Sequence, residues 1–111
     1  KIRLGVQPAE LVSLFALSEQ RARLGEPITL EATIQGLVTS VSLVLEFWAD
    51  MPSGELRSLA KEGIGRLTEG EQARHTVSLT PQEQGLYVLH AYLYQGARRI
   101  GHRTEYLSIA L

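Results

Sequence analysis

The sequence lacks cysteine and asparagine, contains a single aspartate, and has no long hydrophobic run. Without cysteine it can form neither a disulfide framework nor a thiolate metal site. Without asparagine it has no N-glycosylation sequon. One aspartate, Asp50, is too few for the closely spaced oxygen ligands of a dedicated calcium loop. No apolar stretch reaches the roughly 18 residues of a membrane-spanning helix, so we expect no membrane insertion.

The charge and the length of the chain exclude further classes of protein. The chain of 111 residues carries 11 Lys+Arg and 12 Asp+Glu, a formal net charge of −1. Nucleic-acid-binding domains show an excess of positive charge, so we predict no nucleic-acid partner. The length suffices for one domain, which can bury roughly two-thirds of the surface of its unfolded chain.

Apolar and polar residues alternate along most of the chain, with turn residues between the alternating runs. This period of two is typical of half-buried strands, and no segment has a convincing helical period. We predict about seven strands: 11–18, 28–35, 41–49, one or two short strands within 55–70, 74–80, 86–94 and 99–111. A brief helical turn is the alternative within 55–70. The fold class predicted is an all-β antiparallel sandwich.

We interpret residues 1–10 as a lead-in or linker and residues 11–111 as a single domain. The first residue is Lys1, so we expect the chain to be a piece of a larger multidomain protein. The absence of cysteine fits the cytosol and also many cell-surface modules. Of the two, we favour an extracellular or cell-surface location.

Two segments resemble a known group of domains. Residues 25–34 read GEPITLEATI, similar to the segment that opens the second strand of many bacterial immunoglobulin-like modules. Residues 85–91 read GLYVLHA, which resembles their G-x-Y-x-L-x-A penultimate strand. Together they are similar to the CARDB-like (cell-adhesion-related) and related immunoglobulin-like families of bacterial proteins. The resemblance implies an immunoglobulin-like sandwich, a tyrosine corner at Tyr87, and a spacer, adhesion or docking role.

Motifs of catalysis are missing from the sequence. There is no G-x-S-x-G elbow and no G-x-x-x-x-G-K-[ST] loop, and a Ser-His-Asp triad would have to recruit Asp50 from a turn. Three histidines, His75, His90 and His102, could bind zinc if they converged. The alternation places them on three strands, with His75 inward and the others outward. We therefore predict no enzyme activity, no cofactor and no metal site.

The aromatic residues are predicted to gather on one sheet face. With the ring of Tyr87 inward, every second residue of its strand points outward, and the same alternation applies to 41–49 and 99–111. These three strands are neighbours in an immunoglobulin-like sandwich, so the only Trp and three of the four Tyr share one exposed face. The predicted binding residues are Val44, Trp48, His90, Tyr92, Tyr94 and Tyr106, with Arg98 and Arg99 as a polar rim.

An exposed aromatic face predicts an interface, because aromatic rings bury large area at small entropic cost. The expected partner is another protein or a neighbouring domain of the same chain, and self-association is a further option. The alternatives are a flipped strand register or coverage of the face by residues 1–10. A carbohydrate-binding module using Trp and Tyr as platforms is the second functional hypothesis. For Arg98 and Arg99, protection of a sheet edge is the plainer explanation.

Overall fold

The computed structural model describes residues 8–17 and 22–110, which form two antiparallel β-sheets. The strands are β1 (Ala9–Ala16), β2 (Ile28–Gly36), β3 (Ser40–Asp50), β4 (Leu56–Leu67), β5 (Gln72–Leu79), β6 (Gly85–Gln95) and β7 (Arg98–Ile109). The three-stranded sheet has the order β1-β2-β5, and the four-stranded sheet has the order β4-β3-β6-β7. This architecture confirms the predicted all-β, immunoglobulin-like sandwich. Within the described ranges, no helix is long and apolar enough to cross a membrane.

The core lies between the two sheets and is built by the predicted alternation. On β3, Leu43, Leu45 and Phe47 have no solvent exposure, and the residues between them are half-buried. On β2, Leu30 and Ile34 approach them from the other sheet and are equally buried. Full burial of each such side chain contributes about 1.5–3 kcal/mol relative to exposure. The period of two therefore gives each central strand one apolar face for the core.

The tyrosine corner implied by the resemblance is present. The ring of Tyr87 is fully buried. Its hydroxyl donates to the carbonyl oxygen of Glu83 at 2.8 Å and accepts from the Glu83 N–H at 3.0 Å. The loop before β6 is thus attached to the core through both backbone groups of one residue, which leaves neither group without a partner.

Within 55–70 the structure has a single strand, β4, of 12 residues. Of the predicted options a single strand is confirmed, although it is longer than expected, and the alternative of a helical turn was wrong. Three irregularities interrupt the pairing of β3 with β4, and Gly65 has a positive φ of 74°. Each bulge adds a residue on one strand and shifts the phase of its side chains. The apolar residues of β4 therefore lose the period of two that marks the other strands.

The first strand also differs from its predicted limits. It begins at Ala9, whose side chain is fully buried, so Ala9 and Glu10 belong to β1 and not to a linker. Residues 1–7 of the predicted lead-in, and Ser18 at the end of the predicted strand, lie outside the described residues. Whether residues 1–7 cover the predicted aromatic face stays a prediction for the same reason.

The two sheets are joined along both sides of the sandwich. On one side β1 lies beside β7, where the Nε of Arg103 donates to the carbonyl oxygen of Leu11 at 3.0 Å. On the other side, the Nδ1 of His75 on β5 lies 2.8 Å from Oε1 of Glu62 on β4. His75 pairs with the fully buried Ala32, so it has the inward orientation expected from the sequence.

Candidate interaction face

The outer surface of the four-stranded sheet carries the predicted binding residues. Antiparallel partners project their side chains on the same side of a sheet, so the register defines rows across β3, β6 and β7. The rows are Asp50–Val88–Tyr106, Trp48–His90–Thr104, Glu46–Tyr92–His102 and Val44–Tyr94–Arg99. We call these twelve residues the aromatic face.

The predicted side chains are therefore placed together, although their role in binding stays a prediction. Val44, Trp48, His90, Tyr92 and Tyr94 are half-buried by their neighbours on the sheet. Tyr106 is far more open, at 66% relative exposure.

The two arginines of the predicted rim are both exposed at the start of β7, which is an edge strand. Arg99 belongs to the aromatic face, and its guanidinium carbon lies 4.9 Å from the centre of the Tyr92 ring. This contact is a cation–π interaction. Arg98 pairs with Gln95 beside the hairpin turn that joins β6 to β7.

A compact stack of rings occupies the middle of the aromatic face. The rings of Tyr92 and His102 lie 4.5 Å apart at an interplanar angle of 22°, and those of His90 and Tyr92 lie 5.7 Å apart at 11°. Offset stacking of this kind adds to the energy of simple area burial. The stack therefore restrains the orientation of both imidazoles.

Polar contacts connect the same imidazoles to their surroundings. Nε2 of His90 lies 3.3 Å from Oδ2 of Asp50, and Nδ1 of His90 lies 3.1 Å from Nε2 of His102. The hydroxyl of Thr104 lies 3.2 Å from that nitrogen of His102. Burial lowers the pKa of His102, and the nearby charges of His90 and Arg99 lower that pKa further.

The single tryptophan has an internal partner for its polar edge. The indole Nε1 of Trp48 donates to Oε1 of Glu46 at 2.9 Å. The other carboxylate oxygen, Oε2, lies 3.9 Å from the ammonium nitrogen of Lys61 on β4. An apolar partner can therefore cover the indole without leaving its N–H unsatisfied.

Several residues of this surface were not among the predicted binding residues. Leu86 and Leu56 are 52% and 56% exposed, and both lie next to the row that contains Val88 and Tyr106. The outward position of Leu86 follows from the same alternation that places Tyr87 inward. Leu56 carried no such signal, because the alternation of β4 does not continue across the bulge between Phe47 and Trp48. Its outward position follows only from its pairing with Asp50.

The known proteins that this chain resembles were found by comparing its structure with solved structures. No protein-family model and no curated protein matches the chain. The CARDB domain of a Pyrococcus furiosus protein aligns with a TM-score of 0.70 and 16% identity, covering 93% of each chain. The C-terminal domain of Wzt aligns with a TM-score of 0.74 and 13% identity, covering 96% of this chain and 76% of that one. A β-glucuronidase from Bacteroides uniformis aligns with a TM-score of 0.73 and 16% identity, covering 93% of this chain and 14% of the enzyme.

Sequence identities of 13% and 16% show a shared fold and nothing beyond it. The protein has an immunoglobulin-like β-sandwich of the kind found in CARDB domains and as one part of much longer glycosidase chains. The fold expected from the resemblance is thus confirmed.

Proposed function

We propose that the domain is a non-catalytic interaction module that docks onto a protein surface through the aromatic face. One observation carries the proposal. Among the described residues, the three most exposed large apolar side chains, Tyr106, Leu56 and Leu86, all lie on or beside this face. The outward residues of β2 on the other sheet are polar, with Thr29, Glu31 and Thr33 in succession. Clustered apolar exposure on one surface is typical of a binding site.

The polar groups of the aromatic face support docking by packing. Glu46 is held by the indole N–H and faces Lys61, and His90 contacts Asp50. These groups already have partners, so an apolar partner can cover them without leaving them unsatisfied. The same contacts weigh against the carbohydrate-binding alternative, because sugar hydroxyls need free polar groups beside the rings.

Another domain of the same protein, or a second copy of this one, is the partner that this fold favours. The similar region occupies a small part of the glycosidase chains, where it lies in a longer polypeptide. A closely packed contact through large aromatic and leucine side chains would suit such a permanent neighbour. Arg99, at the start of the edge strand β7, would then lie at the rim of the contact.

Trp48 provides a direct readout of this proposal, because it is the only tryptophan of the chain and belongs to the aromatic face. We expect acrylamide to quench its fluorescence less in a chain that carries a neighbouring domain, or in the domain at high concentration, than in the dilute isolated domain. The double variant Leu86→Ser, Tyr106→Ser should restore quenching to the level of the dilute domain.

Phe15 offers a matched control for these substitutions. It is 38% exposed and pairs with Glu31 in the other sheet, so Phe15→Ser should leave the protection of Trp48 unchanged. Equal quenching of Trp48 in all three preparations would refute docking onto a neighbouring domain or a second copy. Protection that appears only with added oligosaccharides would favour the carbohydrate-binding alternative.

A further inference from the structure

Two imidazole nitrogens meet on the aromatic face. Because Tyr92 pairs with His102, and His90 pairs with Thr104, the two histidines are diagonal neighbours on adjacent strands. Nδ1 of His90 and Nε2 of His102 are 3.1 Å apart, and the Thr104 hydroxyl is 3.2 Å from the latter nitrogen. The two nitrogens and the hydroxyl are therefore close neighbours on the outer side of the sheet.

The separation of the two nitrogens suits one metal ion. Zinc–nitrogen bonds of about 2.0–2.1 Å would span the 3.1 Å gap with an angle of about 98° at the metal. This angle lies between the ideal octahedral and tetrahedral values. We infer that His90 and His102 chelate a single divalent transition-metal ion of the zinc and copper class, for which imidazole is a preferred ligand.

Asp50 strengthens the inference through its contact with the far side of one imidazole. Its Oδ2 lies 3.3 Å from Nε2 of His90, the ring nitrogen that points away from His102. A carboxylate in this position holds the proton on Nε2 and leaves a lone pair on Nδ1. In the metal-free domain this lone pair accepts from the Nε2–H of His102, and a metal ion would replace that shared proton. Metal-binding histidines commonly have such a carboxylate partner. The stacking of Tyr92 on His102, at 4.5 Å, restrains the second ring.

The residues around the two histidines also determine how tightly the site would bind a metal ion. No group of three or more His, Asp and Glu side chains in residues 8–17 and 22–110 is arranged to hold a metal ion. Water would therefore complete the coordination, and the Thr104 hydroxyl would give up its 3.2 Å contact with Nε2 of His102 when that nitrogen binds the metal. The positive charge of Arg99, stacked on Tyr92, opposes the cation. We expect weaker binding than at a structural site with four protein ligands.

The test uses zinc chloride and the isolated, tag-free domain, without any protein partner. Calorimetry at neutral pH in a non-coordinating buffer should show one saturable zinc ion per chain. In NMR spectra, the imidazole signals of His90 and His102 should shift together. The signal of His75, on the other side of the sandwich, should stay in place.

Four variants distinguish this site from adventitious binding. His102→Ala should abolish saturable binding, and Asp50→Asn should lower the association constant about 10–100-fold. His75→Gln is the matched control and should bind zinc like the parent domain. Far-UV circular dichroism should show that each variant is folded. His90→Gln should reproduce the loss if the Ala variant of His102 fails to fold.

Two results would overturn the inference. One is the absence of saturable binding at millimolar zinc. The other is binding that persists in both His102→Ala and His90→Gln, or that disappears in His75→Gln. Since the test needs no docking partner, its failure would leave the proposed docking function unaffected, and a failure of docking would leave the metal site unaffected.

Discussion

Removal of the Tyr87 hydroxyl tests how the loop before β6 is held. Tyr87→Phe keeps the buried ring and deletes one oxygen, which makes two hydrogen bonds with the backbone of Glu83 at 2.8 and 3.0 Å. A typical intramolecular hydrogen bond contributes about 0.5–1.5 kcal/mol net. Glu83 is half-buried, so water can reach its freed groups only in part. We expect a loss of about 1–3 kcal/mol in the free energy of unfolding.

Tyr106 provides the matched control on the neighbouring strand. Its side chain is 66% exposed, whereas that of Tyr87 is fully buried. The same deletion in Tyr106→Phe leaves its surroundings solvated, so the free energy of unfolding should change by less than about 0.5 kcal/mol. The difference between the two variants isolates the effect of burial and hydrogen bonding from that of the substitution.

Urea unfolding followed by Trp48 fluorescence measures both variants. The midpoint should fall in Tyr87→Phe with an unchanged slope, because the surface exposed on unfolding is nearly the same. In a thermal scan, a loss of 1 kcal/mol corresponds to roughly 4 °C for a domain of this size. If Tyr87→Phe were as stable as Tyr106→Phe, the two hydrogen bonds would not hold the loop and the reasoning would be refuted.

Three further predictions concern the backbone at Gly36, the imidazole of His102 and the indole of Trp48. Gly36→Ala should destabilise by about 1–3 kcal/mol in urea unfolding, since its Cβ would overlap the Thr68 carbonyl. Gly63→Ala, with open space around its Cβ, should be neutral or slightly stabilising. NMR titration should give His102 a pKa below 6.5. The unfolded chain then binds a proton at His102 more readily than the folded chain, so the free energy of unfolding should fall as pH drops below 6.5. A measured pKa above 6.5 would refute this prediction. Trp48→Ala should shift the thermal midpoint by only a few degrees, and a large loss would place Trp48 in the core.

The central strands were predictable from the sequence because burial on one side imposes a strict period of two. Ile28–Gly36 keeps this period along its whole length, and Gly85–Gln95 keeps it from Tyr87 to Tyr94, so the limits of both strands agree with prediction to within a residue. The orientation of Tyr87 then determined which residues of β6 point outward. For β4, the same reasoning failed because an edge strand with bulges has no single apolar face.

The residues of the aromatic face were likewise predictable from the sequence only in part. Alternation within β3, β6 and β7 predicted that Trp48, His90 and Tyr92 share a side of the sheet. The sequence contained no information on which residues of different strands face each other, because pairing register depends on turns and bulges formed in three dimensions. The shift between Leu93 and Tyr94, for example, alters which residue of β7 lies opposite Tyr94.

Local patterning therefore determined the fold class, the core faces and the outward aromatic residues, since each depends only on the alternation of side chains within one strand. Tertiary structure alone decided the contacts between strands. It placed His90 within 3.1 Å of His102, brought Asp50 to His90 across 40 residues of chain, and added Leu56 to the edge of the aromatic face. These contacts depend on strand register, which is set by the packing of the whole sandwich.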